Sequence, residues 1–413
     1  MLLVVMLFGM ATALLVYGMV DTSSLILQRD KDTAAAFADV KQALIGWSVQ
    51  RTPSVPLPNA RPGELPCPDM GNDGYEDGNC AAGTIGRVPW RTLGIPEPKD
   101  DAGETLWYAI AGPFRIWGVN GNPIHSDTMG NITVYQDSTS SAITTQAIAV
   151  IFAPGASLGA QNRDIAATAL CPTTGTTIAQ NLCAANYLET TAGVNNSTTN
   201  GPFISAASSG TFNDKVMVIT TADLMPVVEQ RVAREVRKIL QAYKTATAAQ
   251  GYNGGAGIYP WADCSSGGSD DGDNRGRIPW NDAHPVNWNT GTPPTPILPN
   301  WLTNQGGTSY NWIWTIYYAV GKNNLENFGA ACTMCEAGQT SLSVNGVWNK
   351  EVVLIMTGPA GASRPLGGIG SGICDQPQWA AYLEDSENND LANDRFITPS
   401  STAYARDRIY TIP

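Results

Sequence analysis

The sequence predicts an α+β chain. One long N-terminal helix, hydrophobic first and amphipathic after, leads into two tandem modules, each a helix packed on a small antiparallel β-sheet. Three observations predict this. The first twenty residues are apolar and uncharged and continue without a breaker into an amphipathic stretch. A set of short motifs occurs twice in the same order. In each copy, apolar runs of strand length follow the helix and end at Gly or Pro.

The N-terminal stretch Met1–Val20 reads MLLVVMLFGMATALLVYGMV, and Asp21 is the first ionisable side chain. Twenty apolar residues suffice to span a bilayer as a helix. Neither Pro nor Gly occurs between Gly18 and Gly46, and Phe37, Val40, Leu44 and Trp47 form one stripe of an amphipathic helix. The expectation is a single helix of about 50 residues, roughly 75 Å long at 1.5 Å per residue. The expected division is 1–30 for the hydrophobic N-terminal helix, as membrane anchor or filament core, 31–222 for the first module and 223–413 for the second.

The duplication is explicit. Val40-Lys-Gln-Ala-Leu-Ile-Gly-Trp47 matches Val236-Arg-Lys-Ile-Leu-Gln-Ala-Tyr243, and Gly86-Arg-Val-Pro-Trp90 matches Gly276-Arg-Ile-Pro-Trp280. Trp107-Tyr-Ala-Ile110 matches Tyr317-Tyr-Ala-Val320, and Tyr187-Leu-Glu189 matches Tyr382-Leu-Glu384. Residues 203–220 align without gaps on 396–413, placing Asp214-Lys215 opposite Asp407-Arg408. AIAVIFA (147–153) and EVVLIMT (351–357) read as the clearest strands. Asp223 is the candidate N-cap of the second helix and Pro226 suits its first turn. Val228, Val232, Val236, Ile239, Leu240 and Tyr243 form its apolar stripe.

Composition narrows the function. A net charge of −12 over 413 residues argues against nucleic acid, because phosphate neutralisation needs a basic face. With 42 Gly, 27 Pro and only 15% charged residues the chain reads as exported and loop-rich, while 12 Trp and 14 Tyr argue against disorder. Cysteines stand at 67, 80, 171, 183, 264, 332, 335 and 374. The close spacings predict bridges Cys67–Cys80 and Cys171–Cys183 and an oxidising compartment. Cys264, Cys332, Cys335 and Cys374 are read as disulfide-forming, with three connectivities open. In Cys332-Thr-Met-Cys335 the following Glu336 replaces the His that covalent haem attachment needs, and a single CxxC is a poor zinc site.

LIGW (44–47), LPCPD (65–69), GRVPWRTLGI (86–95) and DAGETLWYAI (101–110) resemble the globular domain of bacterial prepilin-type proteins of the type IV pilin-like superfamily. The resemblance covers most of the first module and reaches the second by duplication. It implies a structural subunit of an extracellular, type IV pilus-like filament, a homo-polymer held first in the inner membrane and then moved outward by pilus assembly machinery. The apolar helix would pack against identical helices through Leu3, Val5, Phe8, Gly9, Ala13, Leu15, Tyr17 and Gly18, with small residues permitting close approach. Val5 stands where the family usually carries a glutamate. The alternatives are a minor or tip pilin, an adhesin binding surface glycans, and a membrane-anchored periplasmic enzyme. An enzyme is disfavoured: the two histidines, His125 and His284, stand alone, and no nucleophile elbow or HExxH pattern occurs.

Residues 65–80, LPCPDMGNDGYEDGNC, place acids between two cysteines. Numbered as an EF-hand from Asp69, the loop has Gly71 at position 3 and Cys80 at position 12, so that motif fails. Asp69, Asn72, Asp73 and Asp77 remain a candidate calcium set, as do Asp263, Asp270, Asp271 and Asp273 in the second module. Against calcium stands a solvated turn, since Asp, Asn and Gly are also turn residues. Trp280, Trp288, Trp301, Trp312 and Trp314 read as core or interface aromatics, with sugar stacking as the alternative. Asn131, Asn195 and Asn196 fit N-x-Ser/Thr, a pattern too short to assign glycosylation.

Overall fold

The computed structural model describes residues 28–51, 60–78, 80, 84–115, 124–263, 273–280, 298–303, 312–325, 336–358, 381–390, 392–399 and 407–413. The apolar Met1–Val20 stretch and all the filament-core residues named above lie outside them. The first helix, α1, is described over 28–50. The Phe37–Val40–Leu44 stripe is its buried face, extended by Thr33, Ile45 and Ser48. Among the described residues no helix is long and apolar enough to cross a membrane.

Thereafter the chain is dominated by strands. In order these are β1 (Ile85–Arg87), helix α2 (Trp90–Leu93), β2 (Trp107–Ile110), β3 (Ile132–Gln136), β4 (Ser138–Ala153), β5 (Thr168–Cys171), β6 (Thr176–Ala179), β7 (Thr190–Thr191), β8 (Val194–Asn195), β9 (Phe203–Ser205) and β10 (Lys215–Thr220). Helix α3 (Thr221–Ala249) follows, then β11 (Arg275–Gly276), helix α4 (Asn300–Thr303), β12 (Ile316–Val320), β13 (Leu342–Val344), β14 (Val347–Lys350), β15 (Val352–Met356), β16 (Arg395–Phe396) and β17 (Arg408–Ile412).

This overturns the expected architecture of a long N-terminal helix followed by two modules, each a helix on one small antiparallel sheet. The described first helix covers 28–50, about half the expected length, and the described strands form five sheets, two of which contain parallel pairs. The cause is legible in the strands that the apolar-run criterion passes over. The outer half of β4, STSSAITT, and the β5–β6 hairpin are rich in Thr and largely exposed. Thr favours pleated backbone without adding an apolar run.

The chain divides into two units. The first comprises Met1–Trp47, Leu65–Asn120 and Met129–Thr221; the second comprises Ser48–Glu64, Gly121–Thr128 and Ala222–Pro413. In the first unit the main sheet runs β1-β2-β4-β3-β9, with β10 also paired to β4. Residues 147–153 of β4 are wholly buried between β2 and β10, with Trp107 and Val216 both opposite Phe152. Phe152 meets Phe203 edge-on at 4.9 Å between ring centroids. Helix α1 is tied to this unit by Thr33 Oγ1, which donates to Asp101 at 3.0 Å, and by Lys215, whose Nζ lies 2.8 Å from Asp30.

The second unit repeats this order as β11-β12-β15-β17, and the parallel pair Val134↔Phe203 has its counterpart in Val344↔Phe396. The copies differ where β4 is a single strand of 16 residues and the second unit uses β14 and then β15, interrupted at Glu351. The β13–β14 turn is Asn345-Gly346, both at positive φ (52° and 75°), the geometry that matches strand twist in a two-residue hairpin. Helix α3 buries Val228, Val232, Val236, Leu240 and Tyr243, each side chain contributing about 1.5–3 kcal/mol. It starts at Thr221, directly where β10 ends, so Asp223 lies in the first turn instead of capping it, and Pro226 lies inside the helix.

Candidate functional site: an acidic stapled loop and a polar pocket

The 65–80 loop is closed by the Cys67–Cys80 disulfide, with Cα atoms 5.7 Å apart. It is hooked onto β1 by a reciprocal pair: Asp69 N donates to Arg87 O at 2.9 Å, and Arg87 N donates to Asp69 O at 2.7 Å. Gly86 makes this approach feasible, since a Cβ there would lie 2.6 Å from the Asp69 carbonyl oxygen. The Asp69 carboxylate is buried and accepts from Gly74 N (2.7 Å) and Asp73 N (3.3 Å). Burial raises its pKa, and these N–H groups partly offset the rise.

The neighbouring acids also serve the loop's own backbone. Asp73 accepts from Tyr75 N at 2.9 Å, Asp77 from Met70 N at 2.6 Å and Glu76 from Cys67 N at 3.3 Å. Asn72 sits at the turn with φ 59°. The candidate calcium set thus shares one loop, with its three carboxylates directed at backbone donors. Among the described residues no three Asp, Glu, His or Cys side chains form a group that could hold a metal ion.

The second unit contains the same hook. Asp263 N donates to Arg277 O at 2.9 Å, Arg277 N returns to Asp263 O at 3.0 Å, and a Cβ at Gly276 would lie 2.5 Å from that carbonyl. Here the acid is fully buried in an ion pair, Arg277 Nη2 lying 2.7 Å from Asp263 Oδ2. Asp273 forms an isolated bridge with Ala262, while Asp270 and Asp271 lie outside the described residues.

The Cys171–Cys183 disulfide is also present, with Cα atoms 5.6 Å apart. Cys264, Cys332, Cys335 and Cys374 lie outside the described residues, as do His284 and Trp288. His125 is buried. Trp312 and Trp301 are buried, and Trp314 carries the Arg277 guanidinium over its ring at 4.1 Å. These aromatics therefore serve the interior, leaving no flat exposed platform at Trp301 or Trp312.

Sequence reasoning missed a pocket of about 420 Å³ in the first unit. Gln161, Asn186, Glu189, Asn195, Ser197 and Thr211 line it, with Leu158 and Leu188 as its apolar part. Glu189, 9% exposed, accepts from Gln161 Nε2 at 2.7 Å and from Asn213 N at 2.9 Å. Behind it lies Asp214, whose Oδ2 accepts from Glu189 N (3.0 Å) and Asn196 Nδ2 (2.9 Å). Burial, and then the Glu189 charge, push the Asp214 carboxyl well above its ordinary range. The only sequence signal was repetition: Tyr-Leu-Glu and the Asp before Lys or Arg both recur. In the second unit Glu384 N donates to Asp407 Oδ2 at 2.7 Å, but the Glu384 side chain is exposed.

Comparison with known proteins finds no family model, no curated protein and no solved structure that matches the chain.

Proposed function

We propose that the chain is a structural subunit of an extracellular filament of the type IV pilus kind, held in the inner membrane before assembly. The observation that carries the reading is the uncharged, apolar Met1–Val20 stretch of the sequence, which precedes a helix, α1, with one buried face, in a chain whose first unit holds two disulfides. A segment carried in that way can exchange a lipid environment for packing against copies of itself, so its apolar burial persists outside the bilayer. The motif resemblance in residues 44–110 supports the same reading. Negative-stain microscopy of sheared cell-surface material tests it. Uniform fibres that disappear on deletion of residues 1–20 are expected; membrane-retained monomers with no fibres would overturn it.

The polar pocket favours a second reading, an adhesive subunit. Amide, hydroxyl and carboxylate groups beside two leucines suit a hydroxyl-rich ligand such as a surface glycan. Glycan-array binding lost in Gln161→Ala, with fibres retained, would support it.

A further inference from the structure

Helix α1 and the 95–99 loop of the first unit enclose an open groove of about 580 Å³. Its floor is Ala36 and Ala43, its far wall includes Pro96, and Asp32, Asp39 and Glu97 stand along it. Lys99 answers Glu97 at 3.4 Å, so the helix side of the groove carries the acidic pair.

Helix α3 of the second unit has the opposite character on its outward face. Val227, Arg234 and Lys238 are exposed and Arg231 is half-buried along one stripe. Glu235 is the single acid among these cations and is shared by Arg231 and Lys238. On a chain of net charge −12, copies repel one another. A concentrated basic stripe is therefore where a second copy can approach.

We propose that the α1 groove of one copy receives the outward face of α3 from a second copy, the helices lying antiparallel. The register follows from spacing. Asp32 and Asp39 are seven residues apart, as are Arg231 and Lys238, and each interval is about 10.5 Å along one helix face. Setting Arg231 on Asp39 and Lys238 on Asp32 brings Val227 opposite Ala43 and Arg234 opposite Ala36, from where its long side chain reaches toward Glu97. The contact joins the first unit of one molecule to the second unit of another, a heterologous interface of the kind that propagates. It names the partner surface within the filament reading and rests on that reading for its setting.

Sedimentation of the full chain in mild detergent tests it. Association at low salt that weakens as salt is raised is expected. Arg231→Glu with Lys238→Glu, and separately Asp32→Lys with Asp39→Lys, should each raise the dissociation constant by about tenfold or more. An equimolar mixture of the two reversed chains should associate again. Ala36→Phe, which fills the groove without changing charge, should also abolish association. A chain monomeric at every concentration, or one whose association is indifferent to both reversals and to Ala36→Phe, overturns the proposal. Absence of fibres from cells with this association intact would count against the filament alone; fibres that persist with both stripes reversed would count against this contact alone.

Discussion

Asn196 and Asn388 make the same pair of bonds in the two units. Asn196 Nδ2 donates to Ile204 O at 3.0 Å and its Oδ1 accepts from Ile204 N at 2.8 Å; Asn388 does the same to Ile397 at 3.0 and 2.8 Å. Both side chains are fully buried. Each amide thus mimics a strand neighbour, satisfying a backbone donor and acceptor that no strand reaches.

Replacing either by Ala strands those backbone groups away from water. Asn196→Ala and Asn388→Ala should each cost about 2–3 kcal/mol, with the larger loss at Asn196, which also donates to Asp214. Denaturant midpoints check this; a loss below about 0.5 kcal/mol at both sites would mean the bonds are dispensable.

The loop hooks depend on absent side chains. Gly86→Ala and Gly276→Ala each put a methyl within 2.6 and 2.5 Å of a backbone carbonyl oxygen, which must move. Each should destabilise its unit by about 1–3 kcal/mol. Gly276→Ala should be the worse, because Gly276 also holds φ 155°. Thermal melts of the two variants give the comparison.

Cys67→Ser with Cys80→Ser removes a bridge of sequence separation 13. The expected loss is about 3 kcal/mol, seen as a lower urea midpoint. Peptide mapping of the chain, purified without reductant, should find Cys67 joined to Cys80 and Cys171 to Cys183.

Asp214 sets a pH dependence with an unusual sign for a carboxyl. Its folded pKa lies above its ordinary value of 3.8, so between those two values the folded chain holds more protons than the unfolded. This contribution to stability is complete below the ordinary carboxylate range and is lost as pH rises through the folded value. Asp214→Asn keeps an acceptor for Glu189 N and Asn196, removes the titration, and should flatten that fall and leave the protein at least as stable at pH 8. Urea midpoints across pH 4–8 decide; an unchanged slope would place the titration elsewhere.

The sequence made particular elements legible and hid others for physical reasons. Strands β4 and β15 announced themselves as apolar runs because both faces are buried. The Gly-Arg-(Val/Ile)-Pro-Trp repeat located both hooks, since its Gly is the residue that lets the loop approach. The exposed Thr strands were invisible to hydrophobic pattern, and the start of α3 was misplaced because β10 turns into helix with no intervening cap. The Glu189–Asp214 pair spans 25 residues of chain and is assembled only by the fold. Its burial sets it apart from its counterpart: Glu189 is 9% exposed, whereas Glu384 is exposed.

The interruption at Glu351 marks where the two copies parted. In the second unit the break frees the Glu351 carboxylate to accept from Lys244 Nζ of α3 at 2.5 Å and from the Tyr259 hydroxyl at 3.0 Å. The uninterrupted β4 offers no such residue, and there the helix is held through Lys215 and Asp101 instead. The two units thus differ at a joint between strands while keeping the same order of paired core strands. The helix clasp and the break in the strand fall at the same residue, so the unit with the divided strand is also the one whose helix is held by a carboxylate at that break.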